Sequence, residues 1–255
     1  RESFFPQGNK VLWQDAFGSY VRFNRPVKLI FEILQAEFEY AIENLNALTS
    51  EKDNGKMFVD RIGQHLFTYY LWDVYPLLGD GGLLERFYDK TNDDRKRWAQ
   101  LFDYVGRALR KSDRHLDKAL TDRVIAFFDW RVEAAEPLEL QEFTFWLEAE
   151  CLDTNWRLES FSKILDFVRG KDVKLSLWVK ALNKLLPNFL ALVVECFEKI
   201  TAAMDRSTPV YISANDATPI LKAGLNAEDQ QVCENAERAK ENLLRLGHFD
   251  FLNVE

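Results

Sequence analysis

Apolar and polar residues alternate along most of this chain with the period of an α-helix. The stretch after Pro26 shows the pattern best, because its apolar positions recur every three or four residues: Val27, Ile30, Phe31, Leu34, Phe38, Ala41, Ile42, Leu45 and Leu48. Polar residues fill the opposite side, as in a helix with one buried face. Pro26 suits the first position of a helix, where its missing N–H is not needed. We therefore predict a long amphipathic helix that begins at Pro26.

The same period predicts helices throughout the N-terminal half: 10–22, 56–78, 83–89, a helix that starts after a cap at 91–94, and 117–135. The second half of the 56–78 helix is apolar on nearly every side, so other helices must cover it. Glycines in the run 79–82 supply the backbone freedom that a helix end and a turn require. We predict that this run ends the 56–78 helix.

The C-terminal half is predicted to form helix hairpins. One pair covers 139–151 and 155–169, and a second covers 174–186 and 188–204. Connections of a few residues favour antiparallel neighbours. The two pairs begin 35 residues apart, a spacing within the range of helical-hairpin repeats.

The last fifty residues contain the one stretch that does not fit a helix. Residues 207–213 have an extended pattern, and a short helix at 219–223 follows. A final helix at 227–246 has Asn226 as its N-cap and Gly247 just past its end. The whole chain is thus predicted to hold ten to twelve helices and at most one strand.

These elements predict an all-α fold. Two architectures remain: a HEAT-like, right-handed stack of antiparallel helix pairs, and a compact multihelical bundle. Short connections and an interior rich in aromatic residues (20 Phe, 8 Tyr and 7 Trp) favour the stack. No low-complexity linker interrupts the chain, so we expect a single helical domain over residues 1–255.

Composition narrows the classes of function and compartment. There are 41 acidic against 33 basic residues, a formal net charge of -8, which argues against a general polyanion binder. Three cysteines at helical apolar positions do not form a disulfide framework, which favours a reducing cytoplasm. No signal peptide and no apolar run of membrane-spanning length is present, so we expect a cytoplasmic chain without membrane contact. The missing initiator Met suggests a processed chain or a piece of a longer one.

Motifs for catalysis, metals and cofactors are missing from the sequence. There is no H-E-x-x-H, no C-x-x-C and no G-x-S-x-G, and the glycine run 79–82 lacks the lysine of a phosphate-binding loop. His65 is predicted to be a hydrogen-bonded structural imidazole. Aromatic residues of the same helix (Tyr69, Tyr70, Trp72 and Tyr75) are predicted to belong to the core. We therefore expect no enzyme activity, no metal and no cofactor.

Charge is distributed unevenly along the chain. Residues 92–118 carry eight Lys and Arg against five Asp, whereas 129–153 carry eight acids and one Arg. Four bases in the first segment have helical spacing and a fifth follows them: Arg107, Arg110, Lys111, Arg114 and Lys118. They are either a solvated face near a helix C-terminus or a patch that docks an anionic partner or a neighbouring domain.

Two other functions remain open. An all-helical enzyme could build a cleft from acids at the end of the acidic segment, namely Glu142, Glu148, Glu150 and Asp153, and would need a closed pocket in which two carboxyl groups have raised pKa values. A nucleic-acid adaptor could use the bases of 95–118. No aromatic residue interleaves with the bases between Arg107 and Lys118 in the sequence, so single-strand binding is not favoured.

Three strings carry a resemblance to a known class of protein: residues 20–26 (YVRFNRP), 64–70 (QHLFTYY) and 241–252 (ENLLRLGHFDFL). With them the chain resembles the α-helical C-terminal regions of large bacterial multidomain proteins, the STAND-type NTPase sensors and related proteins of phage defence. The resemblance implies that nucleotide hydrolysis or an effector reaction belongs to an N-terminal portion. This segment would then recognise a trigger, hold an inactive state or mediate assembly.

The function expected from the sequence is therefore a non-enzymatic helical-repeat domain of a larger bacterial protein, acting as a sensor or scaffold. Its partner would be a protein, either its own N-terminal domains or another polypeptide. No functional residue is carried over from the resemblance.

Overall fold

The computed structural model describes residues 5, 8–45, 52–73, 77–79, 81–112, 116–170, 174–204 and 212–255. Within these residues the chain forms twelve helices and no strand, which confirms the predicted all-α class and number of helices. The stretch predicted to be extended lies mostly outside the described residues, because only Ile212 and Ser213 of 207–213 are described. None of the helices in the described part is long and apolar enough to cross a membrane.

The chain divides into two compact units. Unit 1 comprises Arg1–Tyr104 and Asp117–Trp130, and unit 2 comprises Val105–Leu116 and Arg131–Glu255. The first six helices are α1 (Lys10–Phe23), α2 (Lys28–Glu43), α3 (Lys52–Leu71), α4 (Leu83–Lys90), α5 (Arg95–Arg110) and α6 (Lys118–Glu133). The expectation of a single domain over 1–255 stays a prediction.

Helix α7 begins the C-terminal set and has three consecutive pieces, Pro137–Leu140, the 3-10 turn Gln141–Phe143, and Thr144–Leu147. After it come α8 (Thr154–Ile164), α9 (Leu175–Leu185), α10 (Leu190–Ala203), α11 (Ala214–Leu225), α12 (Gln230–Arg245) and a closing 3-10 turn at Phe249–Phe251. The predicted single helix over 139–151 is therefore wrong. An apolar pattern cannot distinguish α from 3-10 backbone, and the Gln141 side chain donates to the Leu138 carbonyl at 2.9 Å where the helix changes type.

The predicted apolar stripe of α2 is the buried face of that helix from Phe31 to Ile42, whereas Val27 at its start is 44% exposed. Phe31, Leu34 and Phe38 are each at most 5% exposed. The helix starts later than predicted, because Val27 is the N-cap and Pro26 lies outside the helix. The carbonyl of Val27 accepts the N–H groups of Ile30 and Phe31 at 3.0 and 3.2 Å, so the first turn is closed without Pro26.

Unit 1 has a core of aromatic side chains, and its third helix ends earlier than predicted. Helix α3 ends at Leu71, not at residue 78. The glycine run 79–82 leads instead into α4, with positive φ at Gly79 and Gly81. The carboxylate of Glu85 accepts the N–H groups of both glycines at 2.6 and 3.2 Å, which ties this turn to α4.

In unit 2, α10 is packed on several sides, by α8, α9, α11 and α12. Its apolar residues Val193, Phe197 and Ile200 are fully buried. The predicted N-cap of the last helix was wrong by three residues, since Asp229 caps α12 by accepting the N–H groups of Gln231 and Val232 at 2.8 and 3.2 Å. The predicted helix stop is confirmed, because Gly247 has a φ of +94° just beyond the end of α12.

Candidate functional site

The C-terminal end of α5, in unit 2, carries three of the predicted docking residues. Arg107 and Arg110 lie in the last turn of the helix and Lys111 follows it, all three exposed. Val105 and Leu109 anchor the other side of this turn in the core, at 0% and 5% exposure. Bases at this end of a helix are favoured by the partial negative charge of its free carbonyl groups.

Gly106 allows the end of α5 to approach α7 closely. A Cβ atom added at Gly106 would lie 2.6 Å from Cδ1 of Trp146 and 3.1 Å from Cβ of Phe145. No larger residue fits at this distance without a shift of the buried indole. The glycine therefore sets the separation at which Arg107 and Arg110 meet the side chains of α7.

Both arginines lie over the ring of Phe145. The guanidinium carbon of Arg107 is 4.3 Å from the ring centroid, and that of Arg110 is 4.4 Å from it. At such distances the electron-rich face of the ring attracts a guanidinium group. The half-buried phenyl ring thus holds two long basic side chains in defined positions at the surface.

Glu148, at the end of α7, connects this helix end with α9. One carboxylate oxygen accepts from Nη1 of Arg110 at 3.1 Å, and the other accepts from Nζ of Lys184 at 2.7 Å. Burial raises the pKa of the Glu148 carboxyl, but the hydrogen bonds from Lys184 and Arg110 outweigh this effect and the net pKa lies below its ordinary value. Glu148 is therefore an ionised bridge between cations from two helices.

The outer face of α9 adds two further basic residues to this part of the surface. Lys180 and Lys184 are exposed and one helical turn apart, and Leu177, 52% exposed, lies on the same side of the helix. We name the group formed by Arg107, Arg110, Lys111, Lys180 and Lys184, with Phe145 and Glu148 among them, the basic surface.

Two of the five predicted docking residues are not part of this surface as described. Arg114 lies outside the described residues. Lys118 belongs to unit 1, where it forms an exposed ion pair with Asp122 at 2.6 Å. Phe145 comes from a distant part of the sequence and contacts Arg107 and Arg110, a contact that the sequence around these bases does not reveal.

The residues that organise the surface were missed from the sequence: Gly106, Phe145, Glu148 in its bridging role, Lys180 and Lys184. No local pattern marks them. They belong to three helices, and only tertiary packing brings them together. The one available signal was Gly106, a glycine inside a helical pattern, which often marks a close approach of another element.

Three of the four acids of the alternative enzyme cleft have other roles, and the fourth, Glu150, is exposed. Glu142 pairs with Lys174, and Glu148 pairs with two cations and has a lowered pKa. Asp153 accepts the Trp156 N–H at 2.8 Å as the N-cap of α8. A general acid needs a raised pKa in a closed pocket, and this arrangement does not supply one. Among the described residues, no three His, Cys, Asp or Glu side chains are grouped so that they could hold a metal ion.

His65 has the structural environment that was predicted. It is 3% exposed, and its Nε2 donates to the Val21 carbonyl at 3.1 Å. Burial lowers the pKa of His65 to about 4. Of the aromatic residues predicted to be core in the same helix, Tyr69 and Tyr70 are buried, Trp72 is 40% exposed and Tyr75 lies outside the described residues.

Unit 1 also contains a small cavity lined by Asp60, Gln64, Phe87, Arg97, Gln100 and Leu101. Its volume of about 10 Å³ is that of a single water molecule. Arg97, only 4% exposed, forms an ion pair with Asp94 at 3.3 Å beside it. The cavity is too small for a substrate.

Comparisons of the chain with protein-family models, with curated proteins and with solved structures found no match. The basic surface is therefore interpreted from its own geometry.

Proposed function

We propose that this chain is a non-enzymatic protein-interaction domain of a larger bacterial protein, a helical-repeat scaffold or sensor, and that its basic surface docks an acidic segment of a protein. The observation that carries the proposal is the pair of guanidinium groups held over Phe145, with Glu148 linking Arg110 to Lys184. The bases of this cluster are held by contacts with one another's neighbours, unlike bases that are solvated independently.

Preorganisation is the physical reason for this proposal. Long basic side chains lose rotamer entropy when they bind a partner, and this loss weakens binding. At the basic surface, contact with the Phe145 ring already restricts Arg107 and Arg110 before any partner arrives. Complementary charge would then steer an acidic segment toward the surface and increase its rate of association.

The partner is either the chain's own N-terminal domains or another polypeptide. The resemblance to the helical C-terminal regions of STAND-type sensors supports the first of these. The absence of a sequence motif for catalysis agrees with a role in recognition, in a cytoplasmic setting.

Nucleic acid is the competing anionic partner, and Phe145 is the observation in its favour. Proteins that bind single strands stack bases on aromatic rings beside basic residues. Here the ring already lies under two guanidinium groups, so a base would have to displace one of them. The formal net charge of -8 also weakens a general attraction to polyanions.

Fluorescence anisotropy tests the proposal with the purified chain and a labelled, glutamate-rich helical peptide. We expect the double variant Arg107→Ala/Arg110→Ala to weaken binding by about tenfold or more, since charge-assisted hydrogen bonds are lost. Lys118→Ala, which removes an exposed base from unit 1, is the control and should have little effect. Equal losses in both variants, or tighter salt-dependent binding of a DNA duplex, would contradict acidic-segment docking.

A further inference from the structure

The Glu148 carboxylate lies between two cations. Its two oxygens are bound separately by Lys184 at 2.7 Å and by Arg110 at 3.1 Å. The cations come from different helices, α9 and α5, so one carboxylate completes a site that neither helix forms alone. The surface therefore shows, with its own side chain, that a carboxylate fits between these two bases.

The two bases remain open to solvent although Glu148 binds them. The side chain of Lys184 is 59% exposed and that of Arg110 is 40% exposed, whereas that of Glu148 is 21% exposed. An incoming carboxylate can thus approach both cations from outside while Glu148 holds them from within. Ion pairs with this degree of exposure are weak enough to be exchanged for others.

Glu148 also sits where the backbone of α7 has ended. It is the C-cap of the last piece of that helix, with φ −87° and ψ 1°. Its backbone N–H donates to the Thr144 carbonyl at 3.3 Å, which fixes the main chain. The side chain can still adopt another rotamer. The carboxylate can therefore move out without unfolding the helix.

We infer that a carboxylate of the docked acidic segment displaces Glu148 and binds between Arg110 and Lys184. Glu148 is then an internal competitor that limits binding to segments able to supply their own carboxylate at this point. This inference rests on the proposed docking function and adds the exchange of one carboxylate for another.

Charge-matched variants provide the test, with the same glutamate-rich peptide and anisotropy. Glu148→Gln removes the competing carboxylate, and Glu142→Gln removes one negative charge from the same helix, where Glu142 pairs with Lys174. We expect Glu148→Gln to bind the peptide about fivefold tighter, since the ion pairs of Glu148 no longer have to be broken. Glu142→Gln should change affinity by less than about twofold, because Glu142 pairs with Lys174 and not with the two bases of this site.

Each other outcome is decisive. Equal gains in the two variants would mean that only the net charge of the surface controls affinity. Weaker binding by Glu148→Gln would mean that Glu148 positions the bases for the ligand. Either result overturns the exchange. Glu148→Ala should repeat the gain of Glu148→Gln, with melting curves to verify folding. If neither the wild type nor any variant binds the peptide, the proposed docking function itself is wrong. Binding by the wild type that depends on Arg110 but not on Glu148 removes the exchange alone.

Discussion

The aromatic core around His65 in unit 1 and the Arg131–Glu139 pair in unit 2 bury polar groups in different ways. In unit 1, His65 and Tyr69 lie among the aromatic rings of α1, α2 and α3, and burial keeps them uncharged: it lowers the pKa of His65 to about 4 and raises that of Tyr69. In unit 2, Arg131 is 3% exposed and makes two hydrogen bonds to Glu139, at 2.9 and 2.7 Å. The cost of desolvation is thus avoided by neutrality at the first site and offset by pairing at the second.

The two sites should therefore differ in which changes destabilise the protein. A region that buries neutral groups should respond to changes of pH or to the introduction of a charge. A site that buries a charge with its partner should respond instead to loss of that partner. Substitutions in the two regions can separate these responses.

The largest effect is expected from Glu139→Met in unit 2. Methionine fills a similar volume but leaves the buried guanidinium of Arg131 without its carboxylate, which should destabilise the protein by about 3–5 kcal/mol. Urea unfolding monitored by circular dichroism measures the loss.

The matched control is the double variant Arg131→Met/Glu139→Met, which removes both charges. It should recover most of the lost stability, because a buried ion pair replaced by apolar side chains is often neutral or stabilising. A double variant as unstable as Glu139→Met would show that the pair contributes through packing, not through matched charge.

In unit 1 the equivalent perturbation is to introduce a charge, with Leu34→Asp on the buried face of α2. Leu34 is 5% exposed, and burying a carboxyl group there should lower stability by about 3 kcal/mol. The neighbouring Ile33 is 57% exposed, so Ile33→Asp should leave the melting temperature nearly unchanged. Similar melting temperatures for the two variants would contradict the assignment of the buried face.

The buried face of α2 illustrates what the sequence can predict. The predicted positions from Phe31 to Leu45 are buried, because periodic burial leaves a periodic pattern, and Leu48 lies outside the described residues. The end of α3 could not be predicted in the same way. Its second half is apolar on all sides, so the pattern gives no sign that the helix stops at Leu71.

The basic surface illustrates the opposite case. Arg107 and Arg110 could be found because they are close in sequence and share a sign of charge. Phe145 and Lys184 could not, since their role depends on how α7 and α9 pack against α5. Pairing across helices has no period along the chain, whereas a helical face does.

The pH response of His65 is the next prediction in size. Its pKa is about 4 in the folded protein against an ordinary value of 6.5, so between these values the unfolded chain binds a proton that the folded chain does not. Stability should therefore fall by about 2–3 kcal/mol as the pH drops from 7 to 4, and this contribution should be constant below pH 4. Urea midpoints measured across this range test it.

Two substitutions separate His65 from other acid-sensitive groups. His65→Phe should reduce the slope of stability against pH between 7 and 4, since the titrating ring is removed. His248→Gln, which alters a histidine of unit 2 outside this core, should retain the slope. An unchanged slope in His65→Phe would show that another group causes the acid sensitivity.

The smallest effects distinguish how tightly the helices pack in the two regions. At Gly18 of α1 an added Cβ would lie 3.5 Å from Phe58, an ordinary contact, whereas at Gly106 it would lie 2.6 Å from the Trp146 ring. Gly18→Ala should therefore stabilise the protein by about 0.5–1 kcal/mol through its helix preference. Gly106→Ala should destabilise it by about 1–3 kcal/mol through overpacking, and, because it pushes α7 away, should also weaken peptide binding at Arg107 and Arg110. A destabilised Gly106→Ala variant that binds the peptide with full affinity would show that contact with Phe145 is not what organises the two arginines.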